Sequence, residues 1–153
     1  MRLDVHGTNF QLCVHLIYVQ DGKLLTNTVP DSGFWFLPGG SVQLNEDSLT
    51  AALREFHEET GVQARGAQLV GITEGFDRIT GRQQLGLCYR VESAEGLPVT
   101  SFPVQDTENG LMEWIPLDEV DARPVHPIGL SRMLDVPDGK IEQSVLEWTV
   151  RLG

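Results

Sequence analysis

The stretch "GGSVQLNEDSLTAALREFHEETGV", Gly39 to Val62, decides how this chain is read. From about Asp47 to Thr60, the residues Leu49, Ala52, Leu53 and Phe56 recur at i, i+3, i+4 and i+7, which predicts a helix with one apolar stripe facing a core. Gly61 is placed to end that helix in a left-handed cap, and Asn45 or Asp47 can accept the free amides at its start. Glu55, Glu58 and Glu59 occupy i, i+3 and i+4 away from the stripe, so their carboxylates converge within about one turn. Like charges at that spacing repel, and Glu58 and Glu59 also stand where the helix dipole is already negative. A helix selected only for stability would carry lysine there. Oxygen ligands at this density suit a hard cation, Mg²⁺ or Mn²⁺, rather than zinc, whereas a purely solvated acidic face is the competing reading.

Outward from the helix, Leu12 to Val19 and Lys23 to Val29 flank Asp21-Gly22 and predict a first β-hairpin. Phe34 to Leu37 reads as a short strand stopped by Pro38-Gly39-Gly40, and strand alternation favours core packing over base stacking for Phe34, Trp35 and Phe36. Phe76 is the freer stacking candidate. Gln68 to Glu74 and Leu85 to Val91 predict two more strands with a turn at Thr80-Gly81, and Arg78 and Arg82 in that connection are candidates to meet phosphates. Met112 to Ile115 reads as a strand, Pro116 opens a short helix, and Pro127 to Leu134 and Ile141 to Leu152 are both read as helical. Strands around one central helix, with a second helical region late in the chain, indicate a mixed α/β layered fold in one domain over residues 1–153.

The 41% apolar and 22% charged content suits a globular protein with a sizeable core. No apolar run reaches membrane-spanning length and Met1 to Phe10 carries no signal pattern, so a cytoplasmic location away from membranes is the expectation. Cys13 and Cys88 each lie in an apolar alternating run and read as buried free thiols. A formal charge of −11 argues against binding a nucleic-acid polymer. It does not argue against a small anionic substrate, because carboxylates that bind divalent cations reverse the local field. His57 reads as a surface residue, and His6, His15 and His126 are assigned no role.

Gly40, Glu46 and the run Arg54-Glu55-Phe56-His57-Glu58-Glu59-Thr60-Gly61-Val62 match every fixed position of the Nudix box, so the chain resembles the Nudix hydrolases. "WFLPGG" before the box and "EWIPLDEV" after it are similar to flanking elements of that family. The resemblance implies an α/β/α sandwich with a mixed β-sheet and Mg²⁺- or Mn²⁺-dependent hydrolysis of a diphosphate linkage in a nucleoside diphosphate derivative. The expected partner is a small nucleotide-type molecule, and a homodimer is admitted as an assembly. It also implies roles: Glu55, Glu58 and Glu59 as metal ligands, the Gly40 region as a carbonyl ligand, and Arg54 as the residue that orients a box glutamate. Glu46 is expected to fix the helix. A further carboxylate is expected from the loop after the central strands. Glu108 is favoured over Glu113 as metal ligand or general base, because Gly110 frees that loop and its spacing from Glu113-Trp114 resembles mutator-type members. The downstream proline, tyrosine and proline-rich marks of three Nudix subfamilies are absent, so the resemblance names no substrate. A catalytically silent nucleotide sensor of the same fold is the alternative.

Overall fold

In the computed structural model, which describes residues 1–148, the chain forms two six-stranded sheets and a central helix. In chain order the elements are β1 (Arg2–Val5), β2 (Thr8–Ile17), β3 (Val19–Gln20), β4 (Lys23–Thr28), β5 (Trp35–Phe36), β6 (Gly39–Ser41) and α1 (Ser48–Thr60). There follow β7 (Ala67–Asp77), β8 (Arg82–Val91), β9 (Phe102–Pro103), β10 (Leu111–Pro116), a 3-10 helix over Leu117–Ala122, β11 (Val125–His126), α2 (Ser131–Leu134) and β12 (Glu142–Trp148).

The first sheet runs β1-β2-β8-β7-β12, with β6 also on β2. It is mixed: β2 pairs parallel with β8 and β7 parallel with β12, while the other pairs are antiparallel. Successive side chains of β2 point to opposite faces. Val14 and Leu16 join a core with Ala52 and Phe56 of α1, whereas Ile17 joins a second core with Met133 of α2 and Val120 of the 3-10 helix. Helical elements therefore cover both sides of the strands, the α/β/α sandwich with a mixed sheet expected from the sequence.

Asp47 caps α1 through Thr50, and Gly61 ends it at φ 76°, a backbone angle that a side chain would strain. The buried face of α1 is rotated from the expected stripe: Leu49 is 40% exposed and Leu53 only half-buried, while Ala51, Glu55 and Glu59 join Ala52 and Phe56 beneath the helix. The carboxylates at Glu55 and Glu59 therefore do not lie on a solvated face.

Three expectations about secondary structure are corrected. Leu12 to Val19 is not one arm of a hairpin: only Val19–Gln20 pairs with β4 across Asp21-Gly22, and β2 belongs to the other sheet, where apolar residues on both its faces suit a central position. Of Pro127 to Leu134, only Ser131–Leu134 is α-helical. The segment read as a helix from Ile141 instead forms β12, whose Ser144 is buried between the exposed Gln143 and Val145, the period of an edge strand; residues 149–152 of that expectation lie outside the described residues. Cys13 and Cys88 are buried free thiols.

Candidate active site

Two glycines of β6 fix the helix against the sheet. A Cβ on Gly40 would fall on the Glu55 carboxylate, so the missing side chain is what lets that carboxylate lie on the strand. The Gly39 backbone N–H donates to Glu59 Oε2 at 3.3 Å, and Asn27 Nδ2 of β4 donates to Glu59 Oε1 at 3.3 Å. Glu59 is thus tied to both sheets.

Arg54 holds the remaining carboxylates in place. Its Nε and Nη2 donate to the two oxygens of Glu46 at 2.7 and 2.9 Å, its Nη1 donates to Glu55 Oε1 at 2.8 Å and Glu58 Oε2 at 3.1 Å, and Nη2 also reaches the Ser41 carbonyl at 3.1 Å. A planar fork is suited to this bidentate contact. Glu46 in turn accepts from the Gln43 N–H at 2.9 Å, so the loop before α1 and the last turns of α1 share one cation.

The loop between β9 and β10 completes the cluster. The Gln105 N–H donates to the Glu59 backbone carbonyl at 2.8 Å, which pins the loop to the end of α1 and delivers Asp106 beside the helix. Carboxylate oxygens of Glu55, Glu58 and Asp106 lie within 4.8 Å of one another. Such a set fits a hard divalent cation, whose oxygen shell has ligands about 2.0–2.6 Å from the ion.

Asp106 is not among the carboxylates that the sequence singles out. Nothing in "VQDTENG" marks it over its neighbours, since the contact that places it is a backbone hydrogen bond to a helix distant in sequence. Glu108, the carboxylate favoured from sequence, sits exposed two residues further along and outside this group. Glu113 is engaged elsewhere: it accepts from Trp35 Nε1 at 2.8 Å and lies 4.0 Å from Arg123. His57 is exposed, as expected. Arg78 pairs with Glu147 at 2.9 Å and lies over the Phe76 ring, so Phe76 is covered and Arg78 is held away from the carboxylates.

The electrostatics record a crowd of anions around one guanidinium. Burial, reinforced by Asp106, pushes Glu59 up to about 8, and burial raises Glu55 despite the opposing contact with Arg54. Glu46, bonded to Arg54 and to the Gln43 N–H, is lowered. A positive charge beyond Arg54 would relieve the raised carboxylates.

Residues 10–135 match the NUDIX domain model. A MutT-like protein of Streptomyces ambofaciens is 33% identical over 120 residues, covering 78% of this chain and 71% of that protein. An RNA pyrophosphohydrolase of Saccharophagus degradans is 28% identical over 137 residues, covering 77% and 81%. Among solved structures, a mutator MutT protein from Bacillus halodurans superposes with a TM-score of 0.70 at 24% identity, covering 91% of this chain and 90% of its own, a likeness of fold. With the box residues gathered at one helix and the domain matched over most of its length, the chain belongs to the NUDIX family, as a pyrophosphohydrolase acting on phosphoric anhydrides.

Proposed function

We propose that this protein cleaves a diphosphate linkage in a nucleoside diphosphate derivative, using Mg²⁺ or Mn²⁺ held by Glu55, Glu58 and Asp106. The observation that carries this reading is the approach of those three carboxylates to within 4.8 Å beside Gly40. Glu59 borders the cluster, close enough for Glu55 and Asp106 to act on its charge, and the Gly40 carbonyl is a further candidate oxygen ligand. When bound, a divalent ion supplies neutralisation of the diphosphate and activation of water.

This chain's own residues do the positioning. Arg54 orients Glu55 and Glu58 while Glu46 fixes Arg54, so the ligand carboxylates are held before any ion arrives. Glu59 is locked by Gly39 and Asn27 and keeps the β6 backbone in register with the helix. A carboxylate of the cluster accepts the proton of the attacking water, in line with the leaving oxygen. Glu108, exposed on the same loop, is the second choice for that role.

The test is a panel of nucleoside diphosphate derivatives incubated with Mg²⁺, with Mn²⁺, or with excess EDTA, and analysed for phosphate-containing products. Cleavage that requires the metal is expected. Full turnover in EDTA, or no cleavage of any member, would count against the reading.

A further inference from the structure

Beyond the carboxylates lies a cavity of about 450 Å³. It opens on the face of β2 opposite α1, because His15, at its floor, alternates with Val14 and Leu16, which pack against the helix side. His15 also pairs across the sheet with Gly39, whose N–H holds Glu59. The cavity and the carboxylate cluster therefore flank the same two-glycine segment.

Its wall is aromatic. Phe36 and His126 stack with ring centroids 5.4 Å apart at 25°, and Phe34 lies 6.0 Å from His126. The sequence pattern predicted Phe34 and Phe36 as core, yet they are 41% and 48% exposed, and no packing demand explains large rings left open there. β5 is two residues long and lies between β4 and β11, so its alternation does not report a buried face.

The floor is polar without net charge. Burial pushes His15 down to about 4, so it is a neutral imidazole at pH 7. Arg82 and Asp77, one of each sign, are the ionic side chains lining the cavity. An inositol polyphosphate or a second phosphate group would need several cations there. The set suits an uncharged planar heterocycle instead.

Gln84 supplies a direction. Its Nε2 donates to Cys13 Sγ at 2.9 Å; the thiol's single proton has the Leu85 carbonyl at 3.7 Å within reach, and His15 Nε2 lies 3.4 Å from the same sulfur, so sulfur accepts from Gln84 and the amide is the donor. Among the described residues Gln84 Oε1 accepts no hydrogen bond, so this cavity-lining amide has an acceptor to offer a ligand.

Resting on the reading of the chain as a nucleotide pyrophosphohydrolase, we propose that this cavity takes the nucleobase, stacked on Phe36 and His126, and that Gln84 Oε1 selects bases bearing an exocyclic amino group. The ribose and phosphates then run past Gly39 toward Glu55 and Glu58.

Calorimetric titration with non-hydrolysable probes tests this: AMP against purine riboside 5′-monophosphate, GMP against IMP, and ribose 5-phosphate, each with Mg²⁺ and the full chain. The nucleotides are expected to bind about tenfold or more tighter than ribose 5-phosphate, and the amino-bearing member of at least one pair about fivefold tighter than its partner. Phe36→Ala, at a half-exposed position that the fold does not need, should remove the first difference and Gln84→Leu the second. Ribose 5-phosphate binding as well as the nucleotides, wild-type affinities in Phe36→Ala, or no amino preference in either pair would overturn the assignment. Glu58→Gln separates it from catalysis: turnover should fall while nucleotide affinity stays. A chain that binds amino-bearing nucleotides but hydrolyses nothing would sink the proposed function and leave the pocket standing.

Discussion

Arg54 is the residue on which the geometry of the site turns, because one guanidinium spans Glu46, Glu55 and Glu58. Lysine offers a point charge with no fork, so Arg54→Lys should keep the fold but lower kcat by roughly 10–100-fold, the usual cost of losing a group that orients a metal ligand. A higher Mg²⁺ requirement should accompany the loss, and unchanged kinetics would show that the carboxylates need no such brace. Glu58 differs from its neighbours in exposure, with a side chain 42% open. Glu58→Gln should therefore leave the melting temperature within a few degrees of wild type while turnover drops by about 100-fold or more.

At the scale of elements, the contact between α1 and β6 is close enough to be broken by one methyl group. Gly40→Ala places a Cβ on the Glu55 carboxylate, and the expected outcome is displacement of Glu55 with loss of divalent-cation binding, read by calorimetry against an intact circular dichroism spectrum. The helix core gives a contrasting prediction: Phe56→Ala, at a fully buried position, should cost about 3–5 kcal/mol, and Leu53→Ala, half-buried, distinctly less. Equal destabilisation by the two in chemical denaturation would contradict the observed rotation of the buried face. That rotation also separates what is legible in the sequence from what is not. The caps, the helix and the clustering of Glu55 and Glu58 were legible because they depend on spacing within one element. The burial of Glu55 and Glu59 was not, since it depends on which neighbours lack side chains, here Gly39 and Gly40 of β6, and on an amide, Asn27, that arrives from the second sheet. β12 was misread for a similar reason: its period shows only once pairing with β7 buries one face.

Across the whole molecule, crowded carboxylates couple stability to pH. Glu59 and Glu55 have folded-state values above those of the unfolded chain, so the folded protein holds protons that the unfolded chain has released. The Glu59 contribution is fully present below about 4.5 and is lost as pH rises toward 8, and that of Glu55 declines in the same direction. Without divalent metal the melting temperature should consequently be lower at pH 8.5 than at pH 6, and Mg²⁺ should narrow the gap. A metal-free protein that melts higher at pH 8.5 would contradict these environments. On the proposed reading, the same coupling accounts for anions concentrated where they repel in a chain of net charge −11: a divalent cation bound there would complete the arrangement.

Whether the carboxylate cluster holds a divalent cation is decided by titrating Mn²⁺ into the full chain and following the free ion by electron paramagnetic resonance. Saturable binding is expected, weakened by at least about tenfold in each of Glu55→Gln, Glu58→Gln and Asp106→Asn, with Glu108→Gln close to wild type. No saturable binding by the wild type, or unchanged affinity in all three variants, would contradict it.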